Sequence, residues 1–551
     1  MLIKIIFNQQ CFKCDIQKGL SAETIFNNLN IENDKKVLLC KVDNCYRALS
    51  HKINHECVIE YLDMHNNYAW LTYQSGLILV YKKAVLDILG PNARVEINNS
   101  LNKGLYTVIK QNITSEDVLK IQARMQELVA LDLKINKIHC SREEVIKLAA
   151  KSGDEDRIRL VNSLKNLKDV EIYSLDDHLE LFYSLMVPST GYLNKFELTK
   201  YRNGILLRYP HFNNPDKIPV YEDQRLLYDA FSEANHFSKI MNVTSVADLN
   251  ELIRMNNYQE LIMLQEALHE KKISDIADRI KEEKRRIILI AGPSSSGKTS
   301  FAKRLCIQLR VIGLRPLYLG TDDYFVERKD TAVDEFGEKD FESINALDIK
   351  LFNQQMNALL SGQKVDIPRY DFILGEKVFG ERITSIDHNQ PIVIEGIHAL
   401  NEILTSDIAD SDKFKIYISP LTSQCIDDLN RIPTTDARML RRLVRDYQFR
   451  GRSAKHTIND WPKVRKGEEQ NIFPYISEAD VFFNTNYLYE IAILKKYAEP
   501  LLNEIDSSEE EYAEAQRMLS FLRFFVTIED DSYIANNSLL REFIGGSVLV
   551  K

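Results

Sequence analysis

The sequence of 551 residues contains no apolar run approaching the ~20 residues that a membrane helix needs. Its opening stretch, MLIKIIFNQQ, is too short and too polar to predict a secretory signal. We therefore expect a cytoplasmic protein without a membrane partner, whose 8 cysteines are reduced thiols. The formal net charge of -9 argues against a broad nucleic-acid-binding surface, although it allows a local basic patch.

A complete set of zinc ligands is also missing from the sequence. Cys11 and Cys14 form a single C-x-x-C pair within a predicted strand, which favours packing over metal binding. His51, His55 and Cys57 have a spacing that could bind zinc on a helix. They run into an apolar strand, however, and a fourth ligand is not apparent, so we expect no metal there.

The chain is too long for one hydrophobic core, and its patterns divide it into five parts. We predict a β-rich module, a mixed α+β region, a charged helical connector, an α/β region and a C-terminal helical extension, with boundaries at 1–62, 63–225, 226–283, 284–503 and 504–551. Helices are predicted at Ser21–Leu29 and Ser115–Leu133, each capped by its serine, and at Ser75–Asp87. The last part begins with a predicted acidic helix, Ser507–Phe525, and offers no motif.

Short, unbroken apolar strands alternate with helices in the fourth part of the chain. These strands are Ile287–Ile290, Leu317–Leu319, Ile392–Ile394, Phe414–Ile418 and Val481–Phe483. The pattern predicts an α/β fold, with a parallel sheet covered by helices on both faces.

The strongest motif follows the first of these strands and fits G-x-x-x-x-G-K-[ST]. Its glycines allow a tight turn whose N–H groups point at phosphate oxygens, and the following helix adds its positive end. Lys298 can reach the β- and γ-phosphates of a nucleotide, and Thr299 can hold Mg²⁺. We expect ATP or GTP to be bound by Gly292, Pro293, Ser294, Ser295, Ser296, Gly297, Lys298, Thr299 and Ser300.

Charged residues at later strand ends suggest what the loop is used for. Asp322 follows the second strand and could take a proton from an attacking hydroxyl. Glu395 ends the third strand, at a position from which a carboxylate can order Mg²⁺. The stretch Arg438–Arg452 holds six arginines, and beside a phosphate loop we expect it to form a mobile lid over the transferred group.

Together these motifs resemble the uridine kinase / phosphoribulokinase family of P-loop kinases over roughly residues 285–503. The resemblance implies that Asp322 is the general base on a nucleoside 5′-hydroxyl, in an element where Asp323 replaces a serine. Because neighbouring strand residues face opposite ways, we expect only one of the two aspartates to serve as the base, and the sequence leaves open which one. The resemblance also implies a catalytic Lys298 and a set of acceptor and phosphate contacts. In that set Glu342 holds the ribose hydroxyls, Tyr370 lies beside the base, Arg442 contacts the sugar, and Arg445 and Arg450 contact the phosphates.

The N-terminal half is similar to two domains of threonyl-tRNA synthetases. Residues 1–62 resemble a β-grasp TGS domain, and 63–225 resemble the second additional, editing domain, most clearly at Met186-Val-Pro-Ser-Thr-Gly191. The metal ligands of that domain are replaced, since Phe182 and Met186 stand at two of the ligand positions and the helix Ser75–Asp87 has no histidine. The whole chain resembles a bacterial nucleoside kinase family that joins these domains, and it leaves room for RNA contact through the N-terminal half.

We therefore expect an NTP- and Mg²⁺-dependent kinase whose acceptor is a small molecule, foremost the 5′-hydroxyl of a uridine- or cytidine-like nucleoside. One alternative is a kinase of another small alcohol or sugar phosphate. A second is a tRNA- or ribosome-binding regulator that is switched by NTP. An aminoacyl-tRNA deacylase is disfavoured by the lost metal ligands. The sequence leaves open the acceptor, the choice between ATP and GTP, and whether the chain forms a homo-oligomer.

Overall fold

A computed structural model of the chain describes residues 1–29, 36–164, 169–333, 337 and 339–550. Its first part is a mixed five-stranded sheet with one helix packed on it. The elements are β1 (Leu2–Phe7), β2 (Gln10–Asp15), α1 (Ala22–Asn28), β3 (Val37–Val42), β4 (Cys45–Arg47) and β5 (Val58–Asp63). The strand order is β2-β1-β5-β3-β4, with β1 and β5 parallel. The predicted cap at Ser21 is confirmed, because its hydroxyl accepts a hydrogen bond from the N–H of Thr24.

The region that follows contains two small antiparallel sheets packed around a long buried helix. Its elements are α2 (Asn67–Leu89), β6 (Val95–Leu101), β7 (Gly104–Ile109), α3 (Ser115–Ala130), β8 (Ile135–Ser141), α4 (Arg142–Ser152), α5 (Glu155–Ser163), β9 (Asp169–Leu175), β10 (His178–Leu181), β11 (Glu197–Tyr201) and β12 (Gly204–Arg208). The sheets have the orders β10-β9-β8 and β11-β12-β7-β6. Phe182 and Met186 are each 2% exposed and pack in the apolar core of this region.

Two sequence predictions are corrected in this region. Helix α2 extends beyond Ser75–Asp87, because it is buried along most of its length and lacks a polar face to mark its start. Helix α3 begins as predicted, but its cap is Thr114 and not Ser115. The hydroxyl of Thr114 accepts from the N–H of Asp117, and Asp117 bonds back to Thr114, which is a complete capping box.

Three helices then lead to the second half: α6 (Arg225–Ile240), α7 (Val246–Arg254) and α8 (Tyr258–Glu282). The prediction of a helical segment between the halves is confirmed. These helices do more than connect, because α7 and α8 bury residues such as Leu249 and Ile262 in the core that covers one face of the next sheet.

That next sheet is parallel throughout, with the order β14-β19-β13-β20-β21. It belongs to a series of elements that runs β13 (Ile287–Ala291), α9 (Lys298–Val311), β14 (Leu317–Gly320), α10 (Ile349–Leu360), β15 (Val365–Asp366), β16 (Arg369–Asp371), β17 (Glu376–Val378), β18 (Ile383–Thr384), β19 (Ile392–Glu395), β20 (Lys413–Ser419), α11 (Thr434–Arg450), α12 (Ala454–Asn471), β21 (Val481–Asn484), α13 (Glu490–Asn503), α14 (Tyr512–Leu522) and α15 (Arg541–Ile544).

Alternate residues of the central strand β13 enter two different cores. Ile288 and Ile290 pack in a core with α9 and α11, whereas Ile287 and Leu289 pack in a core with α10. Since neighbouring strand residues face opposite ways, helices cover both faces of the sheet. The predicted fold class, a parallel sheet between two layers of helices, is confirmed.

The predicted domain boundaries remain predictions, and the packing crosses one of them. Leu160 and Leu164, from the N-terminal half, belong to the same buried cluster as Ile288 of the parallel sheet. Arg157 also pairs with Glu180 in its own half and lies 3.9 Å from Asp427 in the other. The two halves therefore share a core and a buried network of charges.

The C-terminal part is less helical than expected. Helix α14 is shorter than the predicted Ser507–Phe525, and between it and residue 550, where the described part ends, the one helix is the single turn α15. This segment returns to the parallel sheet, where Leu539, Leu540 and Phe543 are fully buried. Along the described ranges, no helix has both the length and the apolarity to cross a membrane.

Among the suspected zinc residues, His55 and Cys57 do lie close together. Their ligand atoms fall within 4.8 Å of one another and of a carboxylate oxygen of Asp43, and His55 is 3.1 Å from that carboxylate. His51 is not part of this group. Two of the three residues in this group, His55 and Cys57, were therefore among the candidates in the sequence. The third, Asp43, comes from the turn before β4.

Candidate active site

A cavity of about 690 Å³ opens at the carboxyl ends of the parallel strands, where ligands of such sheets bind. The phosphate loop lines it from Ser294 to Thr299 and leads directly into α9. Gly292 lies at the exit of β13, where a Cβ atom would come 2.3 Å from the carbonyl oxygen of Ile418. Gly297 has φ of +86°, in the region that favours glycine. Both motif glycines are therefore required by the backbone.

Polar groups of the loop are left without partners in the described part of the chain. The hydroxyls of Ser295 and Ser296 are buried and make no hydrogen bond. The Nζ of Lys298 donates to the carbonyls of Gly292 at 2.9 Å and Pro293 at 3.1 Å, within its own loop. Burial lowers the pKa of Lys298. An anion entering the loop would satisfy these donors, so the residues fit a bound phosphate.

The loop is joined to the third strand through Thr299 and Glu395. The Thr299 hydroxyl donates to a carboxylate oxygen of Glu395 at 2.9 Å, and the Tyr318 hydroxyl donates to the same oxygen at 3.0 Å. A hydroxyl and a carboxylate at the mouth of the cavity are oxygen ligands of the kind that Mg²⁺ prefers. These two residues therefore fit a divalent cation bound beside the phosphates.

The two neighbouring aspartates Asp322 and Asp323 point to different partners. They lie in a 3-10 turn, Thr321–Tyr324, and not in the strand itself. Asp322 faces the cavity beside Lys298, whereas Asp323 forms a 2.9 Å ion pair with Arg382. Enclosure by protein, and then the nearby Glu395, raise the pKa of Asp322 to about 6. The turn separates the two carboxylates, where strand alternation was expected to do so.

Glu342 lines the same cavity as Asp322. Burial, and then the carboxylate of Glu468, raise the pKa of Glu342 to about 7. Tyr370 is not among the described residues that line this cavity. It is 4% exposed on β16, and its ring packs 5.5 Å from that of Phe325 and 5.1 Å from that of Phe372. The structure therefore brings Glu342, but not Tyr370, to Asp322.

The arginines of helix α11 fall into two groups: some brace the phosphate loop, and others line the cavity, where the mobile lid was expected. Arg438 donates to the carbonyl of Ser294 at 3.0 Å and pairs with Glu468. Arg441 is fully buried, forms a two-pronged pair with Glu490 and donates to the carbonyl of Ser295 at 3.3 Å. For Arg438 and Arg441 the prediction of a mobile lid is wrong, because buried carboxylates neutralise them and they brace the phosphate loop.

The other arginines of this helix do line the cavity. Arg442 donates to the hydroxyl of Ser294 at 2.8 Å. Arg445 bonds the buried carboxylate of Asp446 at 2.7 Å, and the half-exposed Arg450 lies 3.5 Å from the same group. One buried aspartate thus holds neighbouring cations together at the edge of the cavity.

The C-terminal segment completes the cavity wall, which the sequence did not indicate. A carboxylate oxygen of Glu542 accepts from the hydroxyl of Ser300 at 2.6 Å and from its backbone N–H at 3.3 Å. Lys303, one turn further along α9, donates to the carbonyl of Leu549 at 2.6 Å. Ser300, expected to bind nucleotide, is therefore bonded to Glu542. Sequence motifs could not reveal this contact, since it joins residues 242 positions apart.

The comparisons with known proteins match the two halves of the chain to different proteins. Residues 287–491 match the model of a family described as "Phosphoribulokinase / Uridine kinase family". The uridine kinase of Ligilactobacillus salivarius is 28% identical over 214 residues, which cover 39% of this chain and 91% of that protein. A solved chain described as "Structure of a Possible Uridine Kinase from Bacillus stearothermophilus" is 21% identical, with coverage of 39% and 100% and a TM-score of 0.26.

A threonine–tRNA ligase of Marinobacter nauticus is 36% identical over 114 residues. The match covers 20% of this chain and only 18% of the length of that ligase. The chain thus contains a domain of the phosphoribulokinase/uridine kinase family in its C-terminal half, and its N-terminal half matches threonine–tRNA ligases.

Proposed function

We propose that this protein is a kinase that transfers the γ-phosphoryl group of an NTP to the 5′-hydroxyl of a nucleoside. The observation that carries the proposal is the position of Asp322, whose carboxylate shares one cavity with the phosphate loop and Lys298. A general base works best when its pKa lies near the working pH, and the pKa of Asp322 is raised to about 6. The match of residues 287–491 to a kinase family, and the similarity to a uridine kinase, support the same class of reaction.

In this proposal the residues of the chain divide the work by position. The loop N–H groups and Lys298 hold the β- and γ-phosphates, and Asp322 takes the proton from the acceptor hydroxyl as its oxygen attacks. Arg442, Arg445 and Arg450 stabilise the negative charge of the transferred group. Thr299 and Glu395 would hold Mg²⁺, which, when bound, neutralises charge on the phosphate oxygens.

The charges near Asp322 favour an uncharged acceptor over a sugar phosphate. Asp322, Glu342 and Glu468 place three carboxylates in the lining of the cavity, and Glu468 is already paired with Arg438. A ribose can donate its hydroxyls to Glu342, whereas a phosphorylated acceptor would be repelled there. We therefore favour a nucleoside, in the uridine and cytidine class of the named relatives.

The remaining assignments are proposals of the same kind. Donors of the ATP and GTP type both fit a loop that contacts only phosphates. The similarity of the N-terminal half to threonine–tRNA ligases supports a contact with RNA, and we place the reaction in the cytoplasm. An NTP-switched RNA-binding regulator is the alternative that this similarity supports.

The test is a panel of nucleosides and sugar phosphates incubated with ATP or GTP and Mg²⁺, with products identified by mass. We expect a nucleoside monophosphate from wild-type protein and none from Lys298→Ala. Phosphorylation of sugar phosphates alone would refute the nucleoside assignment. NTP-dependent binding of RNA, without phosphoryl transfer to any small molecule, would favour the regulator.

A further inference from the structure

A second cavity, of about 100 Å³, lies between the two halves of the chain. Helix α2 and the segment after β10 line it from the N-terminal half. The segment that precedes α11, the first turn of α11 and helix α14 line it from the C-terminal half. The residues that matter for its chemistry are Ser75, Ile78, Phe182, Ser184, Leu429 and Arg431.

Arg431 is an unpaired cation in this cavity. Its Nε is buried without a hydrogen bond, and within the described part of the chain its guanidinium forms no ion pair. Burial lowers the pKa of Arg431. Arg517, which lines the same cavity, shows the contrast, because it makes bonds of 2.8 and 2.9 Å to the carboxylate of Asp436. A buried guanidinium normally has such a partner, so Arg431 lacks an anion.

The remaining walls indicate what kind of anion would fit. Ile78 is 3% exposed, and Phe182 and Leu429 are each 2% exposed, so part of the cavity is apolar. The hydroxyl of Ser184 donates to that of Ser75 at 2.6 Å, which leaves the Ser75 hydrogen free to bond a ligand. An apolar cavity of about 150 Å³ holds benzene, which has six non-hydrogen atoms, so this smaller space admits about four.

We propose that this cavity binds a small carboxylic acid, about the size of acetate or glycine, whose carboxylate pairs with Arg431. A carboxylate fits better than inorganic phosphate, because the described residues around the cavity offer one unpaired cation and an apolar wall for carbon. This site is separate from the phosphate loop, and its binding chemistry does not depend on the proposed kinase reaction.

The cavity is connected to the phosphate loop through α11. Asp436, in the first turn of this helix, lines the cavity, and Arg442 on the same helix bonds the hydroxyl of Ser294. Six residues of helix separate them, a distance of about 9 Å. A ligand that draws Arg431 towards it shifts the chain entering α11, and with it the contacts of Arg442. Binding of the acid therefore changes the affinity for NTP.

Calorimetry on the full-length protein tests the site directly, with acetate, L-lactate, glycine, L-alanine and L-serine as probes. We expect at least one acid to bind, and its neutral amide to bind at least tenfold more weakly, since the amide cannot pair with Arg431. Arg431→Gln should weaken the same acid by at least tenfold. Arg225→Gln, on the exposed surface of α6, is the matched control and should leave binding unchanged.

Each other outcome overturns part of the proposal. Failure of all five acids to bind wild-type protein overturns the site. Equal binding by wild-type protein and Arg431→Gln overturns the role of Arg431, provided that circular dichroism shows both folded. ATP affinity measured with and without the acid tests the connection. An unchanged ATP dissociation constant overturns that connection, whereas loss of ATP binding under all conditions counts against the kinase proposal and not against this site.

Discussion

Replacing Asp322 by Asn removes the proposed general base and leaves the other residues of the cavity unchanged. Asparagine keeps the size of the side chain but cannot accept a proton from the acceptor hydroxyl. General-base catalysis contributes about 10²–10⁴-fold, so we expect kcat to fall by that factor. The neighbouring carboxylate of Glu395 is already bonded to Thr299 and Tyr318 and is not free to take over. NTP affinity should change little, because Asp322 is not part of the phosphate loop.

The pKa of Asp322 adds a second, independent expectation. With a pKa of about 6, the carboxylate is ~90% ionised at pH 7 and ~10% ionised at pH 5. A base works only when ionised, so kcat/KM should fall about ninefold between these pH values in wild-type protein. The residual activity of Asp322→Asn should lack the limb near pH 6 and keep only the dependence that comes from Glu342, whose pKa is raised to about 7.

The neighbouring residue supplies the matched control. Asp323→Asn removes a partly exposed ion pair with Arg382, which is worth about 0–1 kcal/mol, and it should leave kcat nearly unchanged. Steady-state rates at saturating NTP and NTP dissociation constants, measured for both variants from pH 5 to 8, make the comparison. If Asp323→Asn is the more damaging change, the base is Asp323. If neither variant loses activity, catalysis by a base at this strand end is refuted.

Four further substitutions test other contacts. Lys298→Ala should abolish phosphoryl transfer. The variant should melt near the wild-type temperature, because the hydrogen bonds of this partly buried cation go to carbonyls of its own loop. Wild-type turnover in the variant would exclude the loop as the active site. Glu395→Gln should raise the Mg²⁺ concentration needed for half-maximal rate, and an unchanged Mg²⁺ titration would remove Glu395 from the metal site. Glu542→Gln should tighten NTP binding by roughly two- to fivefold, since a carboxylate at the start of α9 repels phosphate by about 0.3–1 kcal/mol. If calorimetry shows weaker binding instead, Glu542 helps to bind the nucleotide. Glu490→Leu should lower the free energy of unfolding, measured in urea, by about 3–5 kcal/mol, because it leaves the buried Arg441 unpaired. A loss below about 1 kcal/mol would contradict that reasoning.

Local patterns predicted the parts of this protein that local forces determine. The phosphate loop, the five strands of the parallel sheet (β13, β14, β19, β20 and β21) and the cap at Ser21 depend on a few neighbouring residues, and the sequence located them. The cap of α3 was missed by one residue, because Thr114 and Ser115 can both accept the bond and only the backbone geometry decides between them. The sequence also indicated that Asp322 and Asp323 would differ, although a turn and not a strand separates them.

The partners of the arginines could not be predicted in this way. Arg438 meets Glu468 across 30 positions and Arg441 meets Glu490 across 49, so each pair depends on how two helices pack. A run of arginines looks the same in sequence whether its cations are neutralised by buried carboxylates or left for a ligand. Only the packing distinguishes the bracing residues from those at the cavity.

The contact between Ser300 and Glu542 has a consequence for biosynthesis. The two residues are 242 positions apart, and ribosomes add about 5–20 residues per second. The phosphate loop therefore leaves the ribosome roughly 12–50 s before the segment that completes its wall. In the last part of that interval, once Arg441 and Glu490 have been made and can brace the loop, a cellular nucleotide can reach it before Glu542 does. The order of synthesis thus gives NTP the first opportunity to occupy the loop.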